Sequence, residues 1–220
     1  MCIDKAMTSS IKEAKGAVTF LDVLGWKGIW QKRKDAINTL LTLIKEIESM
    51  ANDISANKTE NRGVTTRVLS ISDTIAIFTD GNPEITIPIH IEICSKAIPL
   101  SIEKQIPLRG AIAYGNFSIE KNIMVGAAVD EAASWHEATD WIGVILTPSA
   151  KFSIDNIDDI EHLIEYKSIP FKKKVNNLNY CVGWKFDQKN QLYNIFNDMG
   201  PHVPEIAPKY LNTLEFINNN

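Results

Sequence analysis

An aspartate inside an otherwise apolar run is the sequence feature that most constrains the fold of this chain. The segment VTFLDVLG, residues 18–25, has the composition of a central strand that is buried on both sides, apart from Asp22. Burying an unpaired carboxylate costs several kcal/mol, roughly, unless a cation or metal ion meets it. The fold must therefore give Asp22 a positive partner, or place it at the end of the strand, where a following helix can use it as a cap.

Two secondary-structure signals follow this segment. Apolar residues at helical spacing predict a helix from Lys27 to about Asp53. The β-rich runs RVLSI and TIAIFTD flank Ser72 and Asp73, and this pattern predicts a hairpin. Segment 84–105 is ambiguous, because a helical apolar face is present but β-branched residues weaken the helix prediction. That face consists of Ile91, Cys94, Ile98 and Ile102.

The rest of the chain completes an α+β pattern. We predict strands in residues 107–119, 141–150 and 179–187, a helix near Val129, a short helix in 157–166 and a helical tail from Gln188. The order of elements indicates one mostly antiparallel sheet with helices on one face. We expect residues 1–15 to form a flexible N-terminal arm and residues 16–220 to form a single domain.

Composition excludes several classes of protein. The chain has 220 residues, 45% of them hydrophobic, and a net charge of −4, so it lacks the basic excess of a duplex-binding protein. Its three cysteines are far apart and show no metal-binding spacing. Neither a signal peptide nor an apolar run of about 20 residues is evident. We expect a soluble, cytoplasmic protein.

Asp73 offers a second carboxylate that could meet Asp22. If the strand that ends near Asp22 lies beside the hairpin, both side chains converge at one end of the sheet. Two close carboxylates repel each other, and a Mg²⁺ or Mn²⁺ ion relieves that repulsion because hard cations take oxygen ligands. The backbone carbonyl of Val23 could be a further ligand. The alternative, in which Asp73 is a turn residue and Asp22 a helix cap, remains open.

Other motifs give weaker signals. The segment WHEATD begins like a zinc-protease motif, but Asp140 stands where the second histidine would be. Phosphate-binding GxxxxGK[ST] and nucleophile-elbow GxSxG sequences are absent from the chain. The histidines, His136 among them, fit surface or capping positions, and Trp135 and Trp141 fit core positions.

Four segments together resemble the catalytic domain of class III nucleotide cyclases. They are FLDVLGWKG, LSISDTIAIF, PLRGAIAYG and VGAAVDEAASWHEA, in the family's order, within residues 16–150. The resemblance implies a ferredoxin-like α+β core that works as a homodimer with its site at the interface. It also implies that Asp22 and Asp73 hold two Mg²⁺ or Mn²⁺ ions. The ribose 3′-oxygen then attacks the α-phosphorus, and pyrophosphate leaves.

The chain departs from the family at several positions. Leu69 and Ile123 stand where the family has its two purine-selecting residues, and neither can hydrogen-bond a purine edge. Asp130 aligns with the transition-state asparagine, and Ser134 with the arginine after it. The family's triphosphate-binding lysine has only a loose counterpart in the run 172–174. Our predicted nucleotide contacts are Lys27, Arg109, Lys173 and Asp130; Arg109 could instead be an ordinary structural arginine.

The missing purine determinants make the chain most similar to the pyrimidine cyclases of bacterial Pycsar anti-phage systems. That resemblance implies conversion of UTP or CTP to cyclic UMP or cyclic CMP, with UTP favoured, and a product that activates a separate effector. Two other interpretations stay open. The protein could be a catalytically inert, nucleotide-binding cyclase-like module, or a purine cyclase with unusual base contacts.

Overall fold

The fold is organised around one eight-stranded sheet. The computed structural model describes residues 13–26, 33–57, 64–121, 123–186, 189–198, 203–204 and 206–220. The strands are β1 Glu13–Val23, β2 Thr66–Ile71, β3 Thr74–Asp80, β4 Leu108–Glu120, β5 Ile123–Val125, β6 Gly143–Leu146, β7 Leu163–Glu165 and β8 Tyr180–Val182. The helices are α1 Ala36–Asn57, α2 Pro83–Glu103, α3 Ala127–Trp135, α4 Pro148–Phe152, α5 Lys189–Asp198 and α6 Ala207–Asn219, with a 3₁₀ turn at Ile157–Asp159.

The strand order places β1 in the interior of the sheet. That order is β2-β3-β1-β4-β6-β8-β7, and β5 pairs with the end of β4. The β4–β6 pair is parallel, and the other pairs between the named strands are antiparallel. The predicted mostly antiparallel sheet is confirmed, and so is the predicted hairpin, which β2 and β3 form around Ser72 and Asp73. With ladders on both sides, β1 is fixed in register along its whole length.

Helices cover both faces of the sheet. Alternate residues of a strand point to opposite faces, and in β1 the side chains of Ala17 and Leu21 join the large core that α2 covers. The side chains of Val18 and Phe20 point the other way and pack with residues of α3 in a second, smaller cluster. The prediction that the helices share one face is therefore wrong for α3.

Helix α2 resolves the ambiguity of segment 84–105. It runs from Pro83 to Glu103 despite internal prolines at 88 and 99, and the predicted apolar face is buried. Tertiary packing therefore overrides the weak helix propensity of its β-branched residues. In the described part of the chain, α2 is also the one helix long and apolar enough to span a bilayer. Most of that apolar stretch is buried against the sheet, which is the environment of a core helix.

Several predicted boundaries are wrong. Strand β1 begins at Glu13, so residues 13–15, assigned to a flexible arm, pair with β4. Helix α1 begins at Ala36, after Asp35, a residue type favoured at helix N-termini. Residues 27–32 lie outside the described residues. The predicted short helix in 157–166 is a 3₁₀ turn followed by β7, because its apolar residues pair with β8.

A chain of buried polar side chains crosses the large core. His90 of α2 is hydrogen-bonded through Nδ1 to Thr19 Oγ1 at 2.6 Å and through Nε2 to Thr79 Oγ1 at 2.9 Å. Thr79 in turn bonds to Thr66, which bonds to Ser55 of α1. Because an unsatisfied buried polar group is costly, this chain fixes the relative positions of three strands and two helices.

His90 makes the stability of the fold depend on pH. Burial lowers the pKa of His90 to about 3, whereas an unfolded histidine titrates near 6.5. Between these values the unfolded chain binds the extra proton, so this contribution is complete above pH 6.5 and is lost as the pH falls. We expect His90 to remove about 2 kcal/mol of unfolding free energy between pH 7 and pH 5.

Denaturant unfolding of the protein and of His90→Gln at several pH values measures this effect. The pH profile of His90→Gln should be flatter by that amount. His162→Gln, which removes a partly exposed histidine, should leave the profile unchanged. Parallel profiles for the protein and His90→Gln would contradict the prediction.

Candidate active site

Asp22 and Asp73 lie at the same end of the sheet. Asp22 is the next-to-last residue of β1, and its register partners are Thr74 of β3 and Arg109 of β4. Asp73 directly precedes Thr74, and its charge acts on the Asp22 carboxylate. The structure thus places both carboxylates at the same end of the sheet, and their catalytic roles stay predictions.

Local sequence explains why the segment after β1 and the β2–β3 hairpin both turn at this end of the sheet. After β1, the N–H of Trp26 donates to the carbonyl of Val23 at 3.3 Å, and Gly25 has a φ of 75°. This combination is typical of a type II turn, whose third residue requires a positive φ. In the hairpin, Ser72 takes a φ of 57° beside Asp73. Val23 keeps one carbonyl lone pair beyond this bond, and its predicted role as a metal ligand stays a prediction.

Arg109 is the positive partner that the sequence of β1 requires. Its Nη2 and Nε donate to Asp22 Oδ2 at 3.0 and 3.2 Å, and its Nη1 donates to the carbonyl of Thr139 at 3.2 Å. Both residues are buried, at 7% exposure. Arg109 therefore supplies the cation that makes Asp22 tolerable inside the sheet, and no metal ion is needed for that purpose. Its predicted contact with a nucleotide stays a prediction.

The site remains rich in negative charge despite this ion pair. Burial raises the pKa of Asp22, and the charges of Glu137 and Asp73 raise it further, against the lowering effect of Arg109. Among the residues that the structure describes, none donates a hydrogen bond to Asp22 Oδ1 or to the Asp73 carboxylate. Carboxylate oxygens of Asp22 and Asp73 therefore remain free to accept a ligand at this end of the sheet, and their negative charge favours a cation there.

His136 and Glu137 also belong to this site, and the sequence interpretation missed them. They follow α3 in the chain. Each of the three residues Asp22, His136 and Glu137 has one possible ligand atom, and these three atoms lie within 4.8 Å of one another. Glu137 Oε1 lies 3.6 Å from Arg109 Nη2 and 4.0 Å from His136 Nε2. His136 is at the C-terminal cap of α3, as expected of a capping histidine. The sequence feature that points to them is the HE pair of WHEATD, which matches only the start of a zinc-protease motif.

Of the three lysines in the run 172–174, Lys172 is the one whose backbone is hydrogen-bonded to the segment after α3. The segment after α3 pairs with the segment around Phe171, because Lys172 N–H donates to Ala138 O and Asp140 N–H donates to Pro170 O, both at 2.9 Å. Partial desolvation and the charge of Arg109 lower the pKa of Lys172, while Asp140 and Glu137 act in the opposite direction. Lys173, the member of this run that we predicted as a nucleotide contact, is exposed, as are Lys172 and Lys174, and Lys27 lies outside the described residues.

Two predicted positions lie away from the acidic pair in a single chain. Asp130 is exposed in the first turn of α3, about 9 Å along the helix axis from His136. Ile123 is 65% exposed on β5, which pairs with the far end of β4 from Arg109. Leu69 is half-buried on β2, in the same hairpin as Asp73.

Two cavities of about 260 and 460 Å³ lie elsewhere, beside α2 and around His162.

No protein-family model and no curated protein matches this chain. Solved structures do match it. The catalytic core of a rhodopsin-guanylyl cyclase with converted specificity, in complex with ATPalphaS, has a TM-score of 0.55 and 18% identity over 78% of this chain and 97% of its own. An adenylate/guanylate cyclase/hydrolase from Silicibacter pomeroyi has a TM-score of 0.52 and 14% identity over 78% and 94%.

A third match adds a protein with a different description. A class III adenylyl cyclase-like ATP-binding protein from Pseudomonas aeruginosa has a TM-score of 0.50 and 15% identity, over 66% of this chain and 36% of its own length. At these identities the likeness establishes the fold. The chain has the α+β fold of class III cyclase catalytic domains, as the sequence resemblance implied.

The Asp22–Arg109 pair generates a stability prediction. Removing one partner of a buried ion pair leaves an uncompensated charge, so Arg109→Met should lower the unfolding free energy at pH 7 by about 3–5 kcal/mol. The double variant Asp22→Asn with Arg109→Met should recover part of that loss. Denaturant unfolding monitored by circular dichroism measures both.

An exposed ion pair provides the matched control. Lys96 contacts Glu92 at 2.9 Å on the surface of α2, and Lys96→Met should cost less than about 1 kcal/mol. Equal losses for Arg109→Met and Lys96→Met would show that the pair at residues 22 and 109 is not a buried, interdependent unit.

Proposed function

We propose that this protein is a metal-dependent nucleotide cyclase that converts a pyrimidine nucleoside triphosphate, UTP in preference to CTP, to its 3′,5′-cyclic monophosphate and pyrophosphate. The observation that carries the proposal is the location of Asp22 and Asp73 at the same end of the sheet, in a chain with the fold of cyclase catalytic domains. We further propose that the product is a second messenger in anti-phage defence and acts on a separate effector.

The acidic pair fits divalent ions. Arg109 donates to Oδ2 of Asp22 and to no other atom of that carboxylate, so Oδ1 stays available as a ligand together with the Asp73 carboxylate and the Val23 carbonyl. Mg²⁺ and Mn²⁺ prefer such oxygen donors. When bound, these ions would neutralise the charge of the triphosphate and make the ribose 3′-hydroxyl more acidic.

The protein's own residues would position the substrate around the acidic pair. Arg109 holds the Asp22 carboxylate in place from one side through two hydrogen bonds. Lys172 brings a positive charge to the same end of the sheet, where it can attract a triphosphate, and Lys27, Lys173 and Asp130 stay proposed contacts. The ribose 3′-oxygen would attack the α-phosphorus in line, and the new ester bond forms as the bond to pyrophosphate breaks.

The preference for a pyrimidine rests on two apolar residues. Leu69 and Ile123 stand at the positions that match the purine-selecting residues of cyclases, and neither side chain has a hydrogen-bonding group. A base beside these two side chains must therefore be recognised through hydrogen bonds from other residues. A pyrimidine ring is also smaller than a purine and needs less space beside them. This is the physical support for UTP or CTP over ATP or GTP.

A homodimer is part of the proposal. Asp130 and Ile123 lie on α3 and β5, away from the end of the sheet that carries Asp22 and Asp73 in one chain. A second copy facing this end of the sheet would contribute its own residues at those positions. The proposed site is therefore shared between two chains.

One observation favours a second candidate function. Asp22 is paired with Arg109, and Asp130 and Ser134 replace the polar residues of the family's transition-state motif. These features also fit an inert module that binds a nucleoside triphosphate without turnover. A structural neighbour described as an ATP-binding protein has the same fold.

The proposed activity predicts products that can be resolved by mass spectrometry. Incubation with each of ATP, GTP, CTP and UTP and with Mg²⁺ or Mn²⁺ should yield cyclic UMP or cyclic CMP in the largest amount. Asp73→Asn should reduce turnover by about 100-fold or more, because it removes a carboxylate that the proposed ions require. Asp80→Asn is the matched control, because Asp80 is an exposed carboxylate at the opposite end of β3.

The outcomes separate the candidate functions. Equal activity of Asp73→Asn and Asp80→Asn would refute the proposed site, and a purine product would refute the pyrimidine preference. Calorimetric binding of a triphosphate without pyrophosphate release would favour the inert module instead.

A further inference from the structure

We propose that Asp22, His136 and Glu137 form a binding site for a divalent first-row transition-metal ion. The three side chains come from the end of β1 and from the two residues after α3, and one ligand atom of each lies within 4.8 Å of the others. The site shares Asp22 with the proposed catalytic pair, but it adds an imidazole and does not include Asp73. It does not depend on the proposed cyclase activity.

The hydrogen bond of His136 prepares its ring for metal binding. Nδ1 lies 2.6 Å from the carbonyl oxygen of Ala133, and a carbonyl can only accept, so Nδ1 carries the proton. In the neutral ring, which is the form that binds a metal ion, the lone pair is on Nε2, the nitrogen that lies 4.0 Å from Glu137 Oε1. A ligating histidine that donates its other nitrogen to a backbone carbonyl is the usual arrangement at protein metal sites, because it fixes the tautomer and the ring orientation.

The three ligands can close around an ion by small movements. With bonds of about 2.1 Å, ligand atoms on a tetrahedral ion lie about 3.4 Å apart, so separations of up to 4.8 Å must shorten by at most about 1.4 Å. The side chain of Glu137 is 57% exposed and can supply most of that movement. Asp22 and His136 are held by Arg109 and by the Ala133 carbonyl, so they provide the fixed part of the site.

The surrounding charges fit a divalent cation. Asp22, Glu137 and Asp73 carry three negative charges, and Arg109, which contacts both Asp22 and Glu137, carries one positive charge. A divalent ion brings this set to neutrality. Arg109 then takes the role of an outer hydrogen-bond donor to a ligating carboxylate. Lys172 interacts electrostatically with Arg109 and Glu137, and also with Asp140 and Lys209.

The imidazole decides which ions bind. Nitrogen ligands favour Zn²⁺, Co²⁺ and related ions over Mg²⁺, which prefers oxygen donors and keeps its water. A site of one histidine and two carboxylates should therefore discriminate against Mg²⁺. An all-carboxylate site would not show this preference.

Cobalt binding without nucleotide tests the proposal. The full-length protein, treated with chelator and then dialysed, is titrated with CoCl₂ or MgCl₂ and followed by calorimetry and by visible absorption. We expect one Co²⁺ per chain with the absorption of a nitrogen-ligated ion, and Mg²⁺ that does not displace it at equal concentration. His136→Ala should weaken Co²⁺ binding by about 100-fold, and Glu137→Gln, which changes an exposed side chain, by about 10-fold or more.

Matched variants near another histidine serve as controls. His162 Nε2 lies 3.4 Å from Glu161 Oε1 on the surface, so His162→Ala and Glu161→Gln remove the same residue types at a pair outside the site. Neither should change Co²⁺ binding. Circular dichroism verifies that each variant is folded, and Glu137→Gln keeps the test decisive if His136→Ala unfolds.

The contrary results are distinct from a failure of the proposed function. Absence of Co²⁺ binding, or unchanged binding in folded His136→Ala and in Glu137→Gln, would overturn this inference. Loss of Co²⁺ binding in Asp73→Asn together with normal binding in His136→Ala would also overturn it, and would support the all-oxygen pair alone. A protein that binds Co²⁺ as described but turns over no triphosphate would refute the cyclase proposal and leave the metal site intact.

Discussion

Asp22 and Arg109 face each other across neighbouring strands, and the organisation of this end of the molecule depends on that ion pair. Neither charge is tolerable alone at this depth, because a buried ion without a partner costs several kcal/mol, roughly. Arg109 also reaches the Thr139 carbonyl, so the same guanidinium ties the segment after α3 to the sheet. Through this one side chain, residues from β1, β4 and the 136–140 segment become parts of a single site.

The charge balance explains how one pair of residues can serve both the fold and a site. Arg109 neutralises one carboxylate, while Asp22, Asp73 and Glu137 together carry three negative charges. The fold is therefore complete without an added ion, yet an excess of negative charge remains for one. Arg109 holds Asp22 in place before a metal ion arrives, which reduces the ordering that binding at the proposed site must accomplish.

Much of this architecture could be predicted from the sequence. The apolar segment around Asp22 and the two β-rich runs that flank Asp73 predicted that both carboxylates converge if the strand lies beside the hairpin, and the β1–β3 pairing meets that condition. Arg109 was noticed, but only the strand register shows that it lies opposite Asp22. His136 and Glu137 come close to Asp22 through the packing of α3 on the second face of the sheet, and no local spacing encodes that approach. The short helix predicted in 157–166 was wrong because pairing with β8 is a nonlocal interaction.

The two-sided pairing of β1 restricts how the chain can vary in length. Asp22 meets Thr74 on one side and Arg109 on the other only in the observed ladders. Moving a strand by one residue turns every side chain to the opposite face of the sheet. One residue gained or lost within β1 would exchange the two cores and withdraw the carboxylate from its partner. Evolutionary insertions are therefore expected outside the two ladders of β1, in the connections between elements.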